Sequence, residues 1–196
     1  MPLAPGTRLG NFEILAPIGK GGMGEVYRAK DLKLGRDVAI KILPAAFAQF
    51  PDRLTRFERE AKVLAKLNHP NIATIYTVEE SAEGKALVME LVPGAPVQGP
   101  LPLSQAIEYG RQIASAIEAA HEQGITHRDL KPANIMFRDG NSLALIDFGL
   151  AKQLRLQAAI TGIGQIFGTP YYMSPEQAEM SGLDRSEEHT SELQSH

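Results

Sequence analysis

The first ninety residues alternate apolar and polar side chains at the two-residue period of β-strands. Strand-like runs begin at Asn11 (NFEILAPIG), Gly24 (GEVYRAKD) and Asp37 (DVAIKIL), and two more follow as NIATIYTVEE and KALVMELV. The segment between the third and fourth runs has helical spacing instead. Its apolar positions are Phe57, Ala61, Leu64 and Leu67. This part of the chain is therefore predicted to be a sheet with one helix.

A proline- and glycine-rich break, PGAPVQGPLP at residues 93–102, separates this sheet from a second lobe. A helix is predicted from Ser104, as its N-cap, to Gln123, with Gly124 in the C′ position. Two short strands, NIMF and LALI, then flank an Asp-Gly-Asn turn at 139–141. The order of elements predicts an α+β fold in two lobes.

Composition excludes several classes of function. The chain has 196 residues, of which 43% are hydrophobic, and a net charge of −3. This charge provides no global basic field for nucleic acid or anionic lipid. Cysteine is absent, which excludes disulfides and thiolate metal sites and favours a cytoplasmic location. We recognise neither a signal peptide nor an apolar run near the roughly 20 residues that span a membrane.

A glycine cluster lies in IGKGGMGEV, from Ile18 to Val26. Gly19, Gly21 and Gly24 fit the pattern G-x-G-x-x-G, in which missing side chains let backbone amides approach phosphates. A flexible hairpin turn is the alternative interpretation. The strand-like EVYRAK that follows favours a glycine-rich hairpin that covers a nucleotide. A dinucleotide-binding loop is disfavoured, because it would need a helix directly after the glycines.

Lys41 and Glu60 are charges in apolar surroundings. Lys41 ends VAIK in an otherwise apolar strand, and Glu60 lies on the apolar stripe of the helix, between Phe57 and Leu64. An edge-strand lysine whose amine reaches water is the alternative. An unpaired buried charge costs several kcal/mol. We therefore predict that Lys41 and Glu60 form an ion pair, which would account for both charges in apolar surroundings.

Two further motifs carry oxygen and nitrogen groups suited to chemistry. HRDLKPAN combines a potential proton acceptor (Asp129), a cation (Lys131) and an oxygen ligand (Asn134). DFG places Asp147 at a strand end, where a carboxylate can hold a divalent cation. Taken alone, each motif could be an ordinary loop or a strand-terminating turn.

Taken in order, the glycine loop, VAIK, Glu60, HRDLKPAN, DFG and GTPYYMSPE resemble the eukaryotic-type protein kinase family, and most of all its bacterial serine/threonine branch. The resemblance covers residues 6–184 and implies a bilobal fold whose mainly helical C-lobe is incomplete. The expected divisions are an N-terminal segment (1–8), an N-lobe (9–92), a hinge with a shortened linker (93–103) and a partial C-lobe (104–184).

The resemblance also implies roles for individual residues in binding ATP and transferring its γ-phosphoryl group. Lys41 would hold the α- and β-phosphates and pair with Glu60 in the active state. Asp129 would accept the proton of the substrate hydroxyl, with Lys131 beside the transferred group. The metal, Mg²⁺ or alternatively Mn²⁺, would be held by Asn134 and Asp147. The nucleotide would be contacted by Ile18, Gly19, Gly21, Gly22, Gly24, Val26, Ala39, Lys41, Met89, Glu90, Val92 and Met136.

Regulation is expected at the segment that follows DFG. Arg128, directly before Asp129, goes in this family with control by phosphorylation of that segment. Thr161 carries the only hydroxyl between Gly149 and Thr169, so we expect it to be the main phosphosite. Thr169 is the weaker candidate and is expected to bond Asp129 and Lys131. Autophosphorylation in trans would bring two copies together.

The function expected from this resemblance is a protein serine/threonine kinase, which acts on protein substrates and not on nucleic acid. A pseudokinase that binds ATP as a scaffold is the alternative, and a small-molecule kinase is disfavoured by HRDLKPAN with GTPYYMSPE. The proline-rich linker leaves no room for the family's short helix after the hinge, so the ribose contact differs. The resemblance leaves open a membrane tether in a longer parent chain.

The last residues differ from everything before them. RSEEHTSELQSH, residues 185–196, continues no motif and resembles the translation of a sequencing adapter, which makes it an expected assembly artefact. The later C-lobe helices of the family are not found in the sequence, so we expect residues 1–196 alone to be unstable and nearly inactive.

Overall fold

The fold was obtained as a computed structural model, which describes residues 2–21, 24–43, 51–81 and 84–148. Thr161 and Thr169, the two candidate regulatory threonines, lie outside the described residues, as do Gly22 and Gly149.

The N-terminal lobe is a six-stranded antiparallel sheet with the strand order β1-β2-β3-β4-β6-β5. Burial alternates along the second half of β3, as the two-residue pattern predicts, whereas β4 is buried continuously from Val38 to Ile42 because it lies between two strands within the sheet. The six strands are β1 (Arg8–Leu9), β2 (Phe12–Gly21), β3 (Gly24–Asp31), β4 (Asp37–Ile42), β5 (Ile75–Ser81) and β6 (Gly84–Glu90).

Among the described residues of this lobe, one helix, α1 (Pro51–Leu64), covers the sheet on one side. Phe57, Ala61 and Leu64 are all buried in the main core, as their helical spacing predicts. The helix ends one turn before Leu67, because the N–H of Leu67 bonds the carbonyl of Leu64 and tightens the backbone to the i→i+3 pattern. The tighter turn still buries Leu67 in the same core.

The second lobe begins with α2 (Leu103–Glu122). Its N-cap is Pro102 and not Ser104 as predicted, since Pro102 already has an extended backbone and its carbonyl accepts the first helical bond, from Ala106. The prediction of Gly124 at C′ is confirmed. Gly124 has a φ of 71°, and the N–H groups of Gly124 and Ile125 bond the last turn of the helix in a Schellman motif.

A two-stranded hairpin, β7 (Ile135–Asp139) with β8 (Ser142–Leu145), lies against α2. The buried core is continuous between the lobes. Ala39 and Phe57 of the first lobe belong to one cluster with Tyr109 and Leu143 of the second. Within the described residues, no helix is long and apolar enough to cross a membrane.

The proline-rich linker runs beside β7 as an irregular extra strand. Gly94 donates its N–H to the carbonyl of Phe137, Phe137 donates to Ala95, and Val97 donates to Ile135. A side chain at Gly94 has no room, because its Cβ would overlap the Phe137 carbonyl and lie 2.8 Å from the Phe137 Cβ. Close backbone approach therefore explains this glycine, and the linker segment 93–102 is non-helical, as expected.

We predict that Gly94→Ala destabilises the domain by about 1–3 kcal/mol, the usual cost of overpacking. Thermal unfolding of the full-length protein should show a melting temperature lower by several degrees. Gly110→Ala is the matched control, since a Cβ at this α2 position meets nothing within 4 Å and alanine favours helix. Equal melting temperatures for the two variants would contradict the close-approach explanation.

Candidate active site

Three adjacent strands bring the predicted nucleotide-binding residues of the sheet together. The register pairs Val26 of β3 with Lys41 of β4, and Ala39 of β4 with Met89 of β6. Lys41 is only 4% exposed. A cation buried to this degree needs an anionic partner.

The partner of Lys41 is Asp147. The Lys41 ammonium donates a short charge-assisted hydrogen bond to Asp147 Oδ1. Asp147 has a φ of 59°, a left-handed backbone conformation that is unusual outside glycine and costs energy unless its surroundings hold it. Its side chain keeps 30% exposure, so one edge of the ion pair faces solvent.

Glu60 does not pair with Lys41 in this structure. No ion pair joins the two residues within the described ranges. The same helix is instead held at Glu58, whose carboxylate lies 2.9 Å from the ammonium of Lys85 on β6. The carboxylates of Glu80 and Glu58 raise the pKa of Lys85, so this lysine is cationic at neutral pH.

His127 organises the HRDLKPAN loop from inside the protein. Its Nδ1 accepts the N–H of Asp129 at 3.3 Å, and its Nε2 lies 3.2 Å from the carbonyl of Ile146, to which it donates. One ring nitrogen must therefore accept while the other donates, which defines a neutral tautomer. Burial lowers the pKa of His127 below its ordinary value of 6.5, although the Ile146 carbonyl and the nearby carboxylates oppose this.

Asp129, Lys131 and Asn134 form one polar cluster. The Asn134 amide donates to both the backbone carbonyl and Oδ2 of Asp129, at 2.8 and 3.1 Å. The Lys131 ammonium lies 2.9 Å from the same Oδ2. Asp129 is 7% exposed, so these donors stabilise a carboxylate that water reaches poorly. The short 3₁₀ helix Pro132–Asn134 supplies the tight turn that brings Asn134 back to Asp129.

Ile146 joins this cluster to Asp147. Its N–H donates to the Asn134 carbonyl at 3.0 Å, and its own carbonyl accepts from His127. Both predicted metal ligands, Asn134 and Asp147, are thereby anchored beside the same residue. The amide nitrogen of Asn134 is engaged by Asp129, so Oδ1 is the atom of this side chain that would act as a ligand.

The donor set fits a small divalent cation. Asn134 and Asp147 offer amide and carboxylate oxygens, the ligands that Mg²⁺ and Mn²⁺ prefer. The described residues contain no cluster of three or more His, Cys, Asp or Glu side chains. An all-protein cage is therefore not built among them, and a cation here would share its coordination with phosphate and water.

The glycine-rich hairpin joins β2 and β3. Gly24 has a φ of 113°, a conformation that requires glycine, and Gly21 pairs with it across the turn. Gly19 is less constrained, since a Cβ there would make an ordinary contact with Val26. Ile18 is 50% exposed at the lip of the sheet. A large apolar side chain in that position is available to cover a ligand.

The predicted hinge residues lie where β6 leads into the linker. The Glu90 N–H bonds the Thr74 carbonyl at 2.8 Å. In the described part of the chain, the N–H of Val92 forms no backbone hydrogen bond. Met136 packs with Val92 in a small buried cluster that also contains Ala73 and Ala144.

An apolar column crosses the interior between the lobes. The rings of His127 and Phe148 are 4.6 Å apart, and Leu64 and Phe148 belong to the main core, with Ile75 packed against it. The column borders a cavity of about 20 Å³ that Lys41, Asp147 and Phe148 help to line.

Of two arginines near the site, Arg128 was predicted from the sequence and Arg138 was not. Arg128, predicted to be regulatory, has a φ of 62° directly before Asp129. Arg138 was not predicted, yet its guanidinium donates to the Glu90 carboxylate at 2.9 Å, beside the hinge. Its only signal in the sequence is a cation two residues after Met136 in a short strand, which does not indicate a partner.

The neutral state of His127 predicts a pH dependence of stability. As pH falls below about 6.5, the unfolded chain protonates this histidine while the folded chain resists, so the free energy of unfolding should fall down to the lowered folded pKa. Replacing His127 by Gln should remove part of this slope in denaturant titrations between pH 7 and pH 5. His121→Gln, on the exposed end of α2, is the control and should keep the slope. Identical slopes for both variants would contradict the assignment.

Comparison with known proteins agrees with this geometry. Residues 12–192 match the family model described as the protein kinase domain. The chain is 40% identical over 183 residues (88% of its length) to the serine/threonine-protein kinase PknB of Mycobacterium leprae, and 41% identical over 175 residues (86%) to PrkC of Bacillus subtilis. It spans 29% and 27% of these relatives, respectively, and so less than a third of either.

A solved structure shows the same fold. The crystal structure of the Mycobacterium tuberculosis PknI kinase domain superposes with a TM-score of 0.69 at 29% identity, covering 78% of this chain and 63% of that one. The resemblance that the ordered motifs suggested is therefore confirmed: the chain belongs to the protein kinase family, in its bacterial serine/threonine branch.

Proposed function

We propose that this domain transfers the γ-phosphoryl group of ATP to serine or threonine hydroxyls of proteins, including its own chain. The observation that carries this proposal is the convergence of three groups at one place: the buried ammonium of Lys41, the strained Asp147 that it binds, and the Asp129–Asn134 cluster tied to Asp147 through Ile146. Phosphoryl transfer needs positioning and charge neutralisation more than covalent chemistry from the protein, and these groups supply both.

The proposed reaction balances with few protein groups. The substrate hydroxyl oxygen forms a bond to the γ-phosphorus, and the bond from that phosphorus to the β–γ bridging oxygen breaks, leaving ADP. Asp129 accepts the hydroxyl proton, and Lys131, 2.9 Å from its carboxylate, stabilises negative charge on the transferred group. Mg²⁺, or Mn²⁺ in its place, would be held by Asn134 and Asp147 and would neutralise phosphate charge.

Nucleotide binding is proposed at the cleft beneath the glycine hairpin. Adenine would lie between Val26 and Ala39 on one side and Met136 on the other. The carbonyl of Glu90 and the N–H of Val92, which forms no backbone hydrogen bond within the described residues, would provide its hydrogen bonds. Ile18 and the glycines would close over the phosphates. This closure would help to exclude water from the site of phosphoryl transfer.

Activation would require Lys41 to change partners. In the state described here Lys41 binds Asp147, whereas the active state would place Glu60 beside Lys41 and free the Asp147 carboxylate for the metal. The Glu58–Lys85 ion pair holds α1 meanwhile. Phosphorylation at Thr161, read by Arg128, is the proposed signal for the exchange.

Replacing Asp129 by Asn should abolish phosphoryl transfer while preserving ATP binding. The amide keeps the shape and the neighbours of the carboxylate but cannot accept the proton, so kcat should fall by roughly 10²–10⁴-fold. The measurement is transfer of labelled phosphate to a generic protein substrate, with the ATP dissociation constant determined in parallel.

The matched control is Asp139→Asn, which changes an exposed carboxylate at the end of β7 and should leave kcat unchanged. A wild-type protein that binds ATP but transfers nothing would instead favour the pseudokinase alternative. Full activity of the Asp129 variant would exclude this residue as the proton acceptor.

Thr161→Ala in the full-length protein should abolish most phosphorylation of the segment 149–169 and lower activity, because a neutral methyl cannot pair with arginine. Mass spectrometry of that segment, followed by kinase assay, measures both effects. Ser104→Ala, at an exposed site on α2, is the control hydroxyl. Unchanged loop phosphorylation and activity would contradict the proposal.

Other expectations stay predictions. They include dimerisation for autophosphorylation in trans, a cytoplasmic location, a membrane tether in a longer chain, the structural role of Thr169, the weak turnover of residues 1–196 alone, and the artefactual origin of 185–196.

A further inference from the structure

Arg138 lies where three segments of the protein meet. Its two terminal guanidinium nitrogens donate to the backbone carbonyls of Pro70 and Ile72 and to Glu90 Oε2, the latter two at 3.2 and 2.9 Å. The Arg138 side chain is 23% exposed and that of Glu90 is 21% exposed. The contacts are therefore partly shielded from solvent, where charge-assisted bonds are stronger than at the surface.

These contacts join elements from both lobes. Pro70 and Ile72 belong to the loop after α1, Glu90 is the last residue of β6, and Arg138 itself is in β7. A planar guanidinium suits this arrangement because its donors form a rigid fork that a lysine cannot reproduce.

Glu90 is held from two directions. Its carboxylate accepts the N–H of Thr74 at 3.1 Å as well as the Arg138 guanidinium, and its N–H donates back to the Thr74 carbonyl at 2.8 Å. The backbone of Glu90 is consequently fixed relative to the loop, and through Arg138 relative to β7.

The other end of this link reaches the opposite wall of the cleft. Arg138 follows Met136 by two residues in β7, at an irregularity in the pairing with β8 between Phe137 and Asp139. Met136 packs with Val92, just beyond Glu90. The guanidinium thus connects the strand that carries Met136 to the strand that ends at the hinge.

We propose that Arg138 is a positioning residue for ATP. It sets the spacing between the hinge backbone at Glu90 and Val92 and the floor at Met136, without touching the nucleotide. This inference rests on the proposed function, because it assigns adenine to that cleft. Preorganising a site reduces the ordering cost of binding, so loss of the link should weaken ATP binding and leave the transfer step intact.

The test compares Arg138→Met and Arg138→Lys with wild type in the full-length protein. We expect KM for ATP to rise roughly 5–20-fold in Arg138→Met, or about 1–2 kcal/mol. This is less than the full contribution of hydrogen bonds to a charged group, because Arg138 affects the nucleotide only through the hinge. Values of kcat and of KM for the protein substrate should stay within about twofold. Arg138→Lys should recover part of the ATP affinity, and it serves as the test if the Met variant does not fold.

A double-mutant cycle separates positioning from general stability. Glu90→Gln should raise KM for ATP, and combining it with Arg138→Met should add little, because both changes break the same link. Arg111→Met is the matched control, since Arg111 is an exposed arginine in an ion pair with Glu108 on α2. It should leave KM for ATP unchanged.

The outcomes separate this inference from the proposed function. A lower melting temperature with unchanged KM for ATP, or additive effects in the cycle, would overturn the positioning role while the kinase activity stood. A wild-type protein that binds Mg·ATP without transferring phosphate would overturn the proposed function. The positioning role would then be decided by the dissociation constants for Mg·ATP of the same variants.

Discussion

The buried ammonium of Lys41 is the constraint on which the site depends. A strand that places a cation at 4% exposure must bring an anion to it, since an isolated buried charge costs several kcal/mol. That anion is Asp147, from a segment 106 residues away, held in a left-handed backbone conformation. The two lobes are joined by apolar packing, and this ion pair ties the residue two positions after β8 to the central strand β4.

The buried charge of Asp129 also needs partners, and these come from its own loop. Its carboxylate is nearly as buried as Lys41 and receives donors from Asn134 and Lys131. A neutral His127 supports the loop through hydrogen bonds to the backbone of Asp129 and Ile146. Burial keeps this imidazole uncharged, so it can accept and donate at once. Within HRDLKPAN, His127 therefore supports the loop, and Asp129 is the proposed proton acceptor.

Local patterns predicted most of the elements, because each depends on neighbouring residues. Strand alternation, the helical phase of Phe57, and the glycine that ends α2 all appear as expected. The start of α2 was misplaced at Ser104, since the cap preference for a hydroxyl yielded to the backbone already set by Pro102. The site motifs were recognisable because their residue types occur in a fixed order.

The residue types of the site, namely the cation, the carboxylates, the amide and the glycines, are evident from the order of amino acids, as is the family whose motifs they form. Their partners became evident only in the folded chain. Lys41 binds Asp147 and not Glu60, Arg138 reaches Glu90 across 48 residues, and Gly94 lies against the Phe137 carbonyl. Helical and strand periods specify which face of its own element a side chain occupies. Its partner depends instead on the distance between that face and the facing element. Those distances exist only once distant segments have packed.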